Sequence, residues 1–306
     1  MKKAHYALLL GLCLALARPA VSTSRIKILT SIFPLTEFAA AVVGDRGDAE
    51  LLLPPGAGVH TWQPRPGDIL RLASSDLFIS VGAGLEPWLS GVLKAVPGGG
   101  LRVLEVSRGL PLRPAEADGP EESAHEHSHG PLDPHVWLDF SLDLLIVDQI
   151  VATLSEIDPA GGAEFRRNAE ALKSRLRGLD SRYADGLKNC TGKTLVVGGH
   201  AAFGYLAKRY GLVQTALYGL SPDSQPRPQH LLKVIDFCKK EGIHTVFFET
   251  SVPPGLAQTL AGEIGGRVLV LYAGHNLTRD QVEKGVGFFD IMEENLKNLR
   301  EGLGCR

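Results

Sequence analysis

The sequence predicts an α/β protein of two parallel-sheet domains joined by a single long helix. Three observations carry that prediction. Short apolar runs alternate with helix-like segments from Ile26 to Val106, the same rhythm returns after Lys193, and one uninterrupted helical stripe lies between. Strands alternating with helices and closed by Gly/Pro turns indicate parallel βαβ units. A chain of 306 residues, 44% hydrophobic and 22% charged, is long enough for two domains with cores of their own.

Taken in order, residues 1–22 read as a secretory signal: Lys2 and Lys3, an apolar run from Ala7 to Ala17, then small residues, with cleavage expected after Ser22. The apolar run is shorter than the ~20 residues that span a bilayer. Leu12 precedes Cys13, where lipidation would need a small residue, so the mature chain is expected to be exported and unanchored. The N-terminal domain, 23–157, has strands at Ile26–Thr30, Glu50–Leu53, Leu77–Val81 and Arg102–Glu105, with helices around Leu35–Val43, Pro66–Ala73 and Glu86–Ala95. Within it, 107–133 is rich in Pro, Glu, Ala and His and reads as an exposed loop.

The linker helix, 158–190, opens with Asp158 and Pro159 as N-cap and first-turn residue. Phe165, Ala169, Leu172, Leu176, Leu179, Tyr183 and Leu187 then form one apolar stripe at steps of three and four. Some 30 residues at 1.5 Å each give a rod of about 45 Å. A strut covered by both domains is preferred to a coiled-coil dimer, because a domain flanks the stripe at either end. The C-terminal domain, 191–306, has strands at Thr194–Val197, Gln214–Leu217, Thr245–Phe248 and Arg267–Leu271. Its helices are near Ala202–Tyr210, Pro228–Glu241, Pro254–Ile264 and Arg279–Arg300.

With 32 Lys+Arg against 34 Asp+Glu the chain lacks the basic footprint of a nucleic-acid binder. Loss of residues 1–22 removes Lys2, Lys3 and Arg18 and no acid, which moves the balance further negative.

Ten histidines offer the chemistry. His60 lies in a Gly/Pro-rich loop after the second strand, His135 closes the 107–133 loop, and His200 follows the first strand of the second half. Loops at the carboxyl ends of parallel strands line the ligand crevice, so His60 and His200 would face one cleft from opposite domains, within reach of His135. A single histidine is most often bonded locally; three in such loops suggest imidazole ligation of Zn(II) with one position open. The same set suits a zinc hydrolase, with Glu249 as base, but the sequence has no nucleophile elbow. We therefore expect a binding protein and no enzyme. Trp62 and Trp137 could wall the site. His230 and His244 fall in structural contexts.

Several motifs together resemble one family: Leu29–Leu35, the His60 loop, Gly82–Leu89, Asp133–Asp139, Asp158-Pro159, Phe165–Asn168, His200–Tyr205, Tyr210–Leu212, Leu220–Pro222 and Phe248-Glu249. In this order, over nearly all of the mature chain, they resemble the solute-binding proteins of zinc and manganese ABC importers. The resemblance implies a monomeric periplasmic protein that hands Zn(II) to a membrane permease, and at family level a weak link to cell adhesion. It places the family's ligands on His60, His135 and His200. Manganese-type members often carry Glu at the third position, so His200 points to zinc, with a manganese or iron carrier as the alternative.

The family's fourth ligand, an Asp after a strand, falls on Tyr272, a poor substitute because a phenol is neutral at pH 7. Water, His275 or Glu249 are the choices, in that order, and Glu249 could instead orient a ligand imidazole. Without a carboxylate ligand, three imidazoles would leave the ion its full charge. His125, His127 and His129 resemble a shortened version of the family's His-rich loop, a candidate for weak accessory metal binding. Binding needs neutral imidazoles, so affinity should fall as pH drops through about 6.5. Of the cysteines left after export, Cys238 and Cys305 are expected to pair, with Cys190 as the odd thiol.

Overall fold

The computed structural model describes residues 25–96, 100–115, 132–220, 228–250 and 254–306. The signal segment 1–22 and His125, His127 and His129 lie outside the described residues. The first half contains β1 (Ile26–Thr30), α1 (Phe33–Val43), β2 (Gly47–Leu51), α2 (Pro66–Ala73), β3 (Leu77–Ser80), α3 (Leu89–Ala95), β4 (Arg102–Glu105) and α4 (Phe140–Ile157). After α5 (Gly162–Leu187), the second half contains β5 (Thr194–Val197), α6 (Gly204–Arg209), β6 (Val213–Ala216), α7 (Pro228–Glu241), β7 (Thr245–Glu249), α8 (Gly255–Glu263), β8 (Arg267–Leu271), α9 (Arg279–Glu283) and α10 (Phe288–Gly302).

Both sheets are parallel and four-stranded, in the orders β2-β1-β3-β4 and β6-β5-β7-β8. In each, the chain leaves the first strand toward one edge and later returns to its other side. The connections therefore diverge between β1 and β3, and between β5 and β7. Such a switch point leaves a crevice at the carboxyl ends of the strands, and the two halves turn these crevices toward each other.

The stripe on α5 is buried along its whole length, from Phe165 to Leu187. It is covered within the chain by α1, α4 and α10, which fits the strut and leaves no face for a coiled-coil partner. Arg175 stacks on the Phe289 ring at 3.9 Å, and the Tyr183 hydroxyl donates to the Met292 carbonyl at 2.6 Å. A single apolar core accordingly runs through both halves by way of α5; a second, smaller one lies between α7, α8 and the outer face of the second sheet.

Four expectations about the helices and strands need correction. The linker is not one rod from residue 158: a 3-10 turn, Pro159–Gly161, precedes the 26 residues of α5, which span about 39 Å. The Asp158 carboxylate does not cap it, being engaged by Arg46 at 2.7 Å. The second strand begins at Gly47, because that glycine lies against β1, where a Cβ would come within 2.5 Å of the Ile26 carbonyl oxygen; Leu52 and Leu53 are buried just beyond the strand. The helix expected over 279–300 is broken at Gly285, whose φ is +65°, into α9 and α10.

The disulfide joins Cys190 to Cys305, and Cys238 is a buried free thiol. Cys238 packs among Val234, Ile235 and Leu260 in the outer core. The chain end instead runs beside the exit of α5, with Gly192 N donating to Leu303 O at 2.9 Å and Arg306 N to Asn189 O at 3.3 Å. Burial pushes the Cys238 thiol up to about 11. Titration of the unreduced, unfolded chain from residue 23 onward should give one thiol, removed by Cys238→Ser; three would contradict the bridge. Since the bridge closes a loop of 115 residues, Cys190→Ser should cost about 2–5 kcal/mol in urea unfolding.

Candidate metal centre

His60 is set by a loop that both halves hold. On its own side, the Trp88 indole donates to the Val59 carbonyl at 3.1 Å, and Trp62 packs edge-on against Trp88. From the second half, the Asn276 amide donates to the Pro54 and Ala57 carbonyls, both at 2.8 Å, while Gly56 N donates to Leu277 O at 2.8 Å. His135 stands at the start of a 3-10 turn, Val136–Leu138, just before α4. Asp133 folds back on it: one carboxylate oxygen receives the His135 backbone N–H at 3.0 Å and faces Nδ1 at 2.8 Å. His200 follows β5, and its Nδ1 lies 3.1 Å from a carboxylate oxygen of Glu249, at the end of β7. That pair spans the switch point of the second sheet.

The three rings converge. Their centroids are 5.6 Å (His60–His135), 5.5 Å (His60–His200) and 5.2 Å (His135–His200) apart, and each ring offers a nitrogen within 4.8 Å of the other two. Tetrahedral zinc with Zn–N bonds of 2.0–2.1 Å places nitrogens about 3.4 Å apart, a modest inward adjustment. All three residues are buried. Among the described residues, this is the one group of three or more His, Cys, Asp or Glu so arranged.

The carboxylates decide which nitrogen points inward. Asp133 occupies Nδ1 of His135 and Glu249 occupies Nδ1 of His200, so each ring offers Nε2; that of His200 has no hydrogen-bond partner among the described residues. A carboxylate on the outer nitrogen fixes tautomer and orientation and raises ligand basicity. It also corrects the expected charge: a divalent ion among three neutral imidazoles would lie one hydrogen bond from two buried carboxylates. Asp133 is the functional residue that sequence reasoning missed, although an acid two residues before a ligand histidine was a usable signal.

The first sheet handles its switch point differently. There Glu86 is buried and accepts from Ser31 Oγ at 2.5 Å and from Val81 N and Gly82 N, both at 2.9 Å. Burial raises its pKa against these bonds. With that crevice filled, the first half contributes to the cleft through the β2 loop and the segment before α4.

The fourth-ligand candidates are placed unequally. The His275 ring is buried with its centroid 6.3 Å from that of His60 and 6.5 Å from that of His200, and its Nδ1 has no hydrogen-bond partner among the described residues. Burial lowers its pKa to about 4, against the opposing pull of Glu249, so it is neutral at pH 7. Tyr272 is pinned through its backbone, its N–H and carbonyl each bonded to the Asn295 side chain at 2.8 Å. It lines, with Glu249, Thr250 and His275, a small cavity of about 90 Å³ beside the centre. Trp137 is buried against His135, its ring 5.4 Å away. His230 and His244 bond the backbone carbonyls of Ala216 and Ile264, apart from the centre.

The chain is similar to known proteins of zinc uptake. Residues 28–302 match the family described as zinc-uptake complex component A, periplasmic (ZnuA). The high-affinity zinc uptake system protein ZnuA of Bacillus subtilis is 34% identical over 287 residues, 91% of this chain and 88% of that protein. The zinc-binding lipoprotein AdcA of Streptococcus pneumoniae is 32% identical over 300 residues, and the chain spans 60% of its length. Among solved structures, the Zn(II)-bound ZnuA-like domain of S. pneumoniae AdcA superposes with a TM-score of 0.77 at 31% identity, over 92% of this chain and 99% of that one. The laminin-binding protein Lmb of Streptococcus agalactiae, described as having adhesin and metal-transporting activity, gives 0.76 at 28% identity, over 91% and 99%.

Proposed function

The chain belongs to the family of the periplasmic zinc-uptake component A, and from that membership we propose that it is an exported zinc carrier which binds one Zn(II) and passes it to the permease of an ABC importer. The ion is cargo. One observation carries the reading: His60, His135 and His200 converge from both halves, and buried carboxylates hold the last two with Nε2 inward. Three imidazoles suit Zn(II) better than Mn(II), which prefers oxygen donors. Glu249, taken up by His200, is read as orienting that ring, which supports a carrier over a hydrolase that would need it as base. Titration against a chromophoric chelator should give one tight zinc per chain and much weaker manganese. No tight zinc, or a preference for manganese, would contradict the proposal.

The fourth position is read as open to water or to a donor from the permease. His275 adjoins the centre but falls outside the set of mutually close nitrogens, so His275→Ala should weaken zinc by about tenfold at most in the same titration. A loss equal to that of the three principal histidines would make it a full ligand.

Release has a structural constraint. The segment 273–277 is laced across the cleft: Trp137 Nε1 donates to Ala273 O at 2.7 Å, Phe33 N to His275 O at 2.9 Å, and Gly56 N to Leu277 O at 2.8 Å. With α5 buried against both halves, this supports small local displacements over a wide hinge. Such lacing favours release triggered by docking on the permease.

A further inference from the structure

We propose that Tyr205 is a positioning residue for the metal: with Gly204 it clasps Asp133, and so orients the His135 imidazole from the half of the molecule that carries His200. The proposal rests on the reading of His135 as a ligand.

Tyr205 is buried on α6, in the second half. Its hydroxyl accepts from Arg113 N at 2.9 Å and donates to the Asp133 carbonyl at 3.0 Å. Asp133 N in turn donates to Arg113 O at 2.9 Å, and Pro114 pairs with Leu132 as an antiparallel bridge. The hydroxyl thus closes the mouth of a two-stranded stem belonging to the first half. Burial, the main cause, pushes this phenol up to about 12, so at neutral pH it keeps the proton that it donates. The Arg113 guanidinium adds a second tie, donating to Gly204 O with its Cζ 5.6 Å from the Tyr205 ring centroid.

Gly204 acts on the carboxylate itself. A Cβ there would stand 2.9 Å from Asp133 Oδ2, so only glycine lets the carboxylate lie against the start of α6 while its other oxygen holds His135. The peptide of Asp133 is therefore fixed by Tyr205, one carboxylate oxygen by contact with Gly204, and the other serves the ligand ring. Gly204 begins α6 only four positions after His200. A displacement of this segment moves His200 directly and frees Asp133, and with it His135, in the same step. Two of the three imidazoles would then let go together, so a small shift of one segment suffices for release.

The test is zinc affinity by chelator competition for Tyr205→Phe, alone and combined with His135→Ala. Partners of metal-bound histidines are typically worth 10–100-fold in affinity, and Tyr205→Phe should weaken zinc by about tenfold or more. In the His135→Ala background it should have no further effect, because its action runs through that ring. A packing defect would weaken both backgrounds alike. Gly204→Ala, which leaves the hydroxyl in place, should weaken zinc by a similar factor. In ¹⁵N-histidine spectra of the metal-free protein, Tyr205→Phe should turn His135 from one tautomer into a mixture. Affinity within twofold of the parent in Tyr205→Phe, or an equal loss with and without His135, would overturn the proposal. Retained zinc affinity in His135→Ala would instead overturn the ligand assignment and the proposal with it; loss there but not in Tyr205→Phe defeats the clasp alone.

Discussion

Replacing His135 by alanine is expected to weaken zinc binding by about two to three orders of magnitude. Structural zinc sites bind with about 10–16 kcal/mol shared over four ligands, so one imidazole accounts for roughly 3–4 kcal/mol. His135 should sit at the upper end, because its removal also leaves Asp133 buried with nothing for its carboxylate to orient. His60→Ala and His200→Ala should fall in the same range, since the three rings form a near-equilateral set. Competition titration of each variant reads the effect directly. If all three kept tight stoichiometric zinc, the site would lie elsewhere.

Trp137→Ala should have the largest effect on stability. The side chain is fully buried between the His135 ring and the core, and its indole N–H holds the Ala273 carbonyl. Truncating a buried Trp costs about 3–5 kcal/mol, and an abandoned buried carbonyl adds about 1–3 kcal/mol. Trp137→Phe keeps most of the volume and should cost about 1–3 kcal/mol, the share of the lost bond. Urea unfolding of the metal-free protein separates the two. A Trp137→Phe loss close to zero would mean that the tie to Ala273 contributes nothing. Trp137→Ala should also weaken zinc, because it removes the wall behind His135 and one lace of the 273–277 segment.

Features written in local periodicity were legible in the sequence. The stripe on α5 keeps helical spacing because one side is buried and the other wet, and the alternation of apolar runs with helices gave both sheets. α4 was missed because its apolar residues, from Phe140 through Leu142, Leu144, Leu145, Ile146 and Val147 to Ile150 and Val151, are too continuous to show one face. Such a run suits a helix packed on several sides, against α1, α5 and the turn before it.

Long-range pairings were not legible. Which cysteine meets Cys305 depends on where the chain end passes, and it passes beside the exit of α5. The three histidines could be picked out because each follows a strand or closes a loop. The Asp133 carboxylate turning back on His135, and the Tyr205 hydroxyl reaching the Asp133 backbone carbonyl from the other half, follow from how the halves meet. The charge around the centre changed most between sequence and structure: Asp133 and Glu249 place two buried carboxylates beside imidazoles that composition alone would leave with the ion's whole charge.

An anomalous difference map at the zinc edge, from crystals of zinc-loaded protein, tests the central claim most directly. The expected result is one dominant peak about 2.0–2.1 Å from Nε2 of His135, Nε2 of His200 and a ring nitrogen of His60, with Asp133 and Glu249 still on the outer nitrogens. A dominant peak that omits any of these three imidazoles would contradict it.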